Sequence, residues 1–385
     1  MIKGNFPIVK LRNIETPFYY YDMELLNNTL KTVNTEAGKY GFEPHYAIKA
    51  NANPSILKTI AKAGLGADCV SGGEVDAAIK AGFPASKIVF AGVGKTDWEI
   101  NLALDNDIFC FNAESIPELE VINELAGKKG KTAHVKLRVN PNVDAHTHHY
   151  ITTGLSENKF GFNLEDLDDV IAKIKTLPNL EFIGLHFHIG SQITDLSSYE
   201  NLCVRINQLQ DEFEKKGIQV KNINIGGGLG INYEHPNHMP IADFDSYFHL
   251  FGKHLKLRPG QRLHCEPGRS IVAQCGSLIT KVTYVKKGKS KQFAIVDAGM
   301  TDLIRPALYE AYHRIENITS DKEPQKYDVV GPICESSDVF LKDTDLNETQ
   351  RGDLLAIRSA GAYGEIMASR YNLRKLPGSV ISTEI

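Results

Sequence analysis

The feature that most constrains the fold is a rhythm of short apolar runs. They recur at 46–48, 67–70, 87–90, 108–111, 133–139, 182–188, 223–225 and 262–265. Between most of them lie segments with helical spacing: Ser55 to Lys62, Gly73 to Lys80, Ile116 to Glu124, Leu164 to Lys175 and Tyr199 to Lys215. About eight strand–helix units over about 230 residues is the size at which a parallel sheet closes into a (β/α)8 barrel. A doubly wound open sheet is the alternative. From about residue 273 the rhythm changes. Ser277 to Val285, Gln292 to Asp297, Tyr327 to Val330 and Asp353 to Ile357 read as strands without long intervening helices, while Thr319 to Lys326 and Lys342 to Arg351 read as polar loops. The pattern predicts α/β architecture with a barrel over 24–272. A mostly β domain is expected from 273–385 together with the aromatic strand in 1–23.

At 385 residues the chain exceeds what a single core usually supports, which agrees with two domains. A net charge of -4 leaves no broad basic field for nucleic acid, and no apolar run is long enough to span a membrane. The start has no apolar stretch of the secretory kind, and six scattered cysteines without CxxC spacing suit a reducing compartment, so a cytoplasmic location is expected.

A barrel concentrates its chemistry at the C-terminal ends of its strands. There the sequence places Lys49, then Asp68 and Ser71, Arg138 and Asn140, His188 and Ser191, Gly226-Gly227-Gly228, and Glu266 with Arg269. Turns seldom need Lys, His, Glu and Arg together, so one site at one rim is expected. A lysine whose pKa is lowered by burial is a nucleophile suited to a carbonyl partner; a structural ion pair is the plainer role for Lys49. The glycine run after a strand lets backbone amides approach a phosphate, although it matches neither common nucleotide motif, and a tight turn explains it equally well. His186 and His188 share a side of their strand, but no carboxylate or cysteine at ligand spacing accompanies them, so no metal is expected. His188 suits a flat contact with an aromatic cofactor, and His186 the packing beneath. Glu266 could hold a pyridine nitrogen protonated, or could close a salt bridge with Arg269. Further on stand Arg305-Pro306-Ala307-Leu308-Tyr309, Cys334-Glu335-Ser336-Ser337-Asp338 and Ala362-Tyr363-Gly364. Cys334 suits either a proton donor or packing, and paired arginines suit a carboxylate ligand.

In this order, with Tyr46-Ala47-Ile48-Lys49-Ala50-Asn51 and His188-Ile189-Gly190-Ser191, these motifs resemble the pyridoxal phosphate (PLP)-dependent alanine racemase-like barrel enzymes of fold type III. The resemblance covers nearly the whole chain. The Arg305–Tyr309 run and Asn158-Lys159-Phe160-Gly161 point to the branch acting on diaminopimelate rather than to ornithine or arginine decarboxylases. It implies Lys49 as the Schiff-base lysine, His188 against the pyridine ring and Glu266 at its nitrogen. Asp68, Ser191, Gly227, Gly228, Gly268, Arg269 and Tyr363 complete the implied cofactor site. Arg269, Arg305, Tyr309 and Tyr363 would bind the distal carboxylate end of the substrate, Glu335 its distal ammonium, and Cys334 would act near the carbon that is protonated. The resemblance further implies a homodimer with sites at the interface, and removal of CO2 from the D-centre of meso-2,6-diaminopimelate to give L-lysine. Gln274 and Cys275 depart from the expected Asn and Ala without touching an implied role. A racemase of the same fold would prefer arginine at the pyridine nitrogen. A decarboxylase of another basic amino acid would not need two carboxylate-binding arginines, and a non-catalytic PLP carrier would lack the second domain.

Overall fold

The computed structural model describes residues 5–143 and 159–385, so Asn158 of the Asn-Lys-Phe-Gly motif lies outside the described residues. Two compact units are present. One comprises Thr29–Gly230 and Asp243–Gly268, the other Met1–Asn28, Ile231–Ala242 and Arg269–Ile385.

After β1 (Phe18–Tyr21), eight strands follow in the first unit: β2 (Glu43–Ala47), β3 (Gly66–Cys69), β4 (Ile88–Phe90), β5 (Cys110–Ala113), β6 (Ala133–Arg138), β7 (Leu180–His186), β8 (Asn222–Asn224) and β9 (Arg262–Cys265). Each pairs in parallel with the next, and β2 closes on β9 through Glu43 opposite His264 and Pro44 opposite Cys265. The closed barrel is the reading that the rhythm favoured over the open sheet. Its helices begin where side chains cap the free N–H groups of the first turn. Asn53 accepts from Ser55 N with Pro54 in the first turn, Ser71 accepts from Glu74 N, and Ser115 from Glu118 N. Among the helices absent from the periodicity reading are Asp97–Asp105 and Phe244–His254. Thr96 and Glu99 form a capping box for the first, and Asp243 caps the second, so their start signals were local.

The barrel interior is polar. Asp68, Asn112, Lys136, His186, Asn222, Asn224 and His264 are all buried, so each polar head needs a partner. Near the strand starts His45 Nε2 meets His264 Nδ1 at 2.9 Å, His45 Nδ1 faces the Lys87 carbonyl at 3.0 Å, and Asn222 Nδ2 donates to the Ile183 carbonyl at 3.1 Å. Burial, with Lys136 nearby, lowers the His45 pKa to about 4 and pushes that of His264 well below the usual range. Glu43 joins these two histidines in a group of metal-ligand type, but the imidazoles are already closed on each other, and the Lys136 amine acts on both. The group therefore reads as barrel packing.

The second unit is mostly β. It adds β10 (Gly276–Lys287), β11 (Gln292–Val296), β12 (Ile315–Asn317), β13 (Pro324–Val330), β14 (Val339–Asn347), β15 (Leu354–Ile357) and β16 (Gly378–Ile381). Their sheet runs β12-β15-β10-β11-β13-β14, and β1 pairs with both β10 and β16. Here the sequence reading needs correction: Lys342 to Asn347 is strand rather than loop, paired antiparallel with β13, which itself begins at Pro324 inside the other expected loop. The ribbon keeps Tyr327, Phe340 and Leu346 inside, while Lys326 and Asp345 form an exposed ion pair at 3.1 Å. Charges on the solvent face of an edge ribbon masked its alternation.

Candidate active site

β2 ends in a single 3-10 turn, Ile48–Ala50, that carries Lys49. The turn is set from both sides. Tyr46 Oη donates to the Asn51 carbonyl at 2.9 Å, and Ala47 N donates to the Pro267 carbonyl at 3.2 Å, which ties the lysine turn to the turn after β9. Gly268 lies against that turn: a Cβ there would stand 3.1 Å from those of Ala47 and Ala50.

Glu266, one residue beyond β9, is held by three side chains of the barrel interior. Oε1 accepts from Asn224 Nδ2 at 2.6 Å and Asn112 Nδ2 at 3.4 Å, and Oε2 pairs with His186 Nε2 at 3.1 Å. Burial alone would raise its pKa, but the His186 imidazole, with His188 and Lys49 beyond, holds the carboxyl well below its usual range. Asp68, closing β3, behaves in the opposite way. It is buried, its Oδ1 finds no hydrogen-bond partner among the described residues, and burial with the Glu266 charge pushes its carboxyl well up against the pull of Lys49. The two carboxyls are thus driven in opposite directions, which is how paired acids acquire separate roles.

His188 is partly buried just past β7. Gly227 N donates to its Nδ1 at 3.3 Å, and burial, Lys49 and Arg138 keep the imidazole neutral. The loops after β7 and β8 are zipped together by Ile193 N to Gly228 O at 2.8 Å and Gly230 N to Ile193 O at 2.9 Å, with Ser191 in the first loop. Gly226 (φ 70°) and Gly228 (φ 110°) adopt backbone that other residues resist, and a Cβ on Gly228 would meet Gly190 O and Tyr199 Oη at 2.7 Å. A crowded cradle of backbone, an acid held anionic, a neutral imidazole and a rim lysine are the donor set that a phosphorylated pyridine aldehyde requires. Arg138, by contrast, is bound to Glu114 at 3.1 Å and 3.3 Å.

Within the second unit, Arg269 and Arg305 converge. Arg269 Nη1 donates to Tyr233 Oη at 2.6 Å and Arg305 Nη2 to the same oxygen at 3.3 Å. Tyr363 lies against both, its ring centre 4.9 Å and 6.0 Å from the two guanidinium carbons, and Tyr309 also bears on both electrostatically. Cys334 and Glu335 stand apart on an exposed loop between β13 and β14. Cys334 N donates to Asn372 Oδ1 at 3.1 Å, Tyr371 Oη donates to Glu335 at 2.6 Å, and the Asp338 carboxylate accepts from Met300 N and Ile333 N. Cys334 is the exposed thiol among the free cysteines.

The structure thus groups Lys49, Asp68, His188, Ser191, Gly227, Gly228, Glu266 and Gly268 at strand ends of the barrel, and Arg269, Arg305, Tyr309 and Tyr363 in one cluster of the second unit. Cys334 and Glu335 belong to neither group. Sequence reasoning missed Asn112, Asn224, Tyr233 and His313. Asn224, between Ile223 and Ile225, carried the available signal: a polar residue alternating with apolar ones on a buried strand.

Such a site on a closed barrel defines a PLP-dependent decarboxylase, and the chain belongs to that class: residues 24–273 match the family model for the pyridoxal binding domain of pyridoxal-dependent decarboxylases. The chain is 62% identical over 385 residues, all of both chains, to the diaminopimelate decarboxylase of Bacteroides thetaiotaomicron. It is 44% identical over 370 residues to that of Aquifex aeolicus, covering 95% of this chain and 86% of the other. Among solved structures, diaminopimelate decarboxylase from Helicobacter pylori complexed with L-lysine matches with a TM-score of 0.92 at 41% identity, covering 98% of this chain and 94% of that one. The M. jannaschii enzyme in co-complex with L-lysine matches at 0.89 and 38%, covering 99% and 90%. Its family is that of the diaminopimelate decarboxylases.

Proposed function

We propose that this protein removes CO2 from the D-centre of meso-2,6-diaminopimelate and releases L-lysine, with pyridoxal phosphate held in the barrel. The observation that carries the reading is Glu266, a buried carboxylate kept anionic by three side chains of the barrel interior. A racemase would place a cation at the pyridine nitrogen, whereas an anion there keeps the ring protonated.

Pyridoxal phosphate, when bound, supplies the electron sink that decarboxylation of an amino acid requires. The rest is the work of the chain. Glu266 would accept a hydrogen bond from the ring nitrogen and hold the proton there. His188, neutral, would offer an uncharged face to the ring, and the loops carrying Ser191, Gly227 and Gly228 would present N–H groups to the phosphate. Lys49 would anchor the cofactor, and Asp68, its carboxyl pushed up by burial and by the Glu266 charge, would resist adding a second negative charge there. Arg269 and Arg305, with Tyr309 and Tyr363, would hold the carboxylate that is retained, which sets which end of the substrate reacts. Lys49 and Cys334 are the proton donors on offer for the carbon left behind.

Residues 24–272 are proposed as the cofactor-binding barrel, with 1–23 and 273–385 contributing substrate-binding and interface residues. A homodimer is proposed in which Cys334 and Glu335 act across the subunit interface. Its support is a set of exposed apolar side chains in the second unit: Leu308, Tyr312, Ile366, Tyr371, Leu373 and Leu376. Leu373 is 97% exposed. A cytoplasmic location is proposed from the free, mostly buried thiols; among the described residues no helix is long and apolar enough to cross a membrane.

The test is the visible absorbance of the protein purified with pyridoxal phosphate, followed by assay of lysine and CO2 from meso-diaminopimelate, with Lys49→Ala in parallel. The expected result is a cofactor band and lysine formation in the wild type and loss of both in the variant. A band without lysine would overturn the substrate; no band at all would overturn the cofactor.

A further inference from the structure

We propose that Tyr233 is a specificity residue of the same site: its hydroxyl donates the third hydrogen bond to the distal carboxylate, beside Arg269 and Arg305. The proposal rests on the reading that these arginines hold that carboxylate.

The argument is a count of lone pairs. A phenol offers two acceptor positions and one O–H donor. On Tyr233 both acceptor positions are taken, by Arg269 Nη1 at 2.6 Å and Arg305 Nη2 at 3.3 Å. What remains is the O–H, and among the described residues it finds no acceptor. Two guanidinium groups on one oxygen polarise that O–H into a stronger donor, and they repel each other unless an anion joins them. None of the hydrogen bonds of Arg305 among the described residues goes to a carboxylate. The cluster therefore holds two donors, Arg305 and the Tyr233 O–H, that among the described residues one further acceptor could join.

Its geometry is held from behind. Arg305 Nε donates to His313 Nε2 at 3.2 Å, and His313 Nδ1 faces the Arg358 carbonyl at 2.9 Å. A carbonyl can only accept, so Nδ1 carries the proton and Nε2 is the lone pair that fixes the guanidinium fork. The Tyr233 ring packs edge-on to His313, with ring centres 5.1 Å apart at 79°, so one imidazole positions both the second arginine and the phenol. Tyr233 comes from Ile231–Ala242, the stretch that leaves the barrel sequence to join the second unit. No motif in the chain marks it.

Substrate and product both carry the retained carboxylate, whereas cadaverine has the same amine chain without it. The experiment compares binding of L-lysine and of cadaverine to the holoenzyme by calorimetry, with KM and kcat for meso-diaminopimelate, in wild type, Tyr233→Phe and Arg305→Ala. For Tyr233→Phe the expected result is lysine binding weaker by about tenfold to a hundredfold, the usual loss for a hydrogen bond to a charged group. KM should rise by a similar factor, with kcat and cadaverine binding held. Equal losses for lysine and cadaverine would overturn the proposal, because they would report a loosened site rather than a lost donor. Lysine binding unchanged in Tyr233→Phe but weakened in Arg305→Ala would overturn the role of Tyr233 alone. Lysine binding unchanged in both variants would overturn the arginine reading on which it rests.

Discussion

The barrel rim and the arginine cluster of the second unit handle buried charge in opposite ways. In the barrel, the Glu266 anion is surrounded by donors, and the carboxyl of its neighbour Asp68 is pushed up by burial and by that charge. The cluster instead brings two guanidinium groups onto one phenol oxygen. A satisfied anion suits a task that needs a fixed charge throughout the reaction, whereas cations gathered on a neutral oxygen suit a ligand that comes and goes. The difference assigns rate to the first region and recognition to the second.

The sharpest way to break that assignment is Glu266→Gln. It removes the charge while keeping the shape, so kcat should fall by about a hundredfold to a thousandfold, as when a preorganised electrostatic group is lost. KM should change little; a raised KM with kcat intact would merge the two regions. Arg305→Lys probes the other side with a smaller effect. Lysine keeps the charge but loses the fork, so steady-state kinetics should show KM up by about tenfold with kcat nearly unchanged. The third effect is on stability. Asp68 binds its proton more tightly folded than unfolded, so folding takes up a proton, and wild-type stability declines as pH rises from the ordinary aspartate range towards the raised folded value. Thermal unfolding of the cofactor-free protein should show Asp68→Asn gaining on wild type with rising pH across that window. The gain should be about 2–4 °C for each kcal/mol recovered and should vanish below the unfolded pKa. A gain that is constant with pH would mean that Asp68 is ionised in the fold.

The barrel was legible because parallel strands buried on both faces stand out as apolar runs, and because polar residues collected where those runs ended. Lys49, His188 and Glu266 could be singled out for the same reason. Asn224 left only the trace of a polar residue between Ile223 and Ile225, and Asn112 less, since what distinguishes both is convergence on one carboxylate from different strands, a relation absent from local spacing. Tyr233 was hidden for a related reason, since it acts through hydrogen bonds to arginines distant in the chain, and His313 because it acts through an arginine whose own role is not local. The β13–β14 ribbon was misread because its exposed face carries the charges expected of a loop.

The pairing of β1 has a consequence for the order in which the molecule can be made. This strand, at Phe18–Tyr21, lies between β10 and β16, with Tyr21 opposite both Gly276 and Ile381. Barrel closure needs only that β9 be available to β2, so the barrel can seal during synthesis before the C-terminal sheet exists. Strand β1 must then wait for partner strands far downstream in the chain to be added. Such long-range pairings are slow to form. Until they do, the aromatic strand Phe-Tyr-Tyr-Tyr lacks the partners that bury it in the fold, and such transiently exposed apolar strands are where aggregation starts.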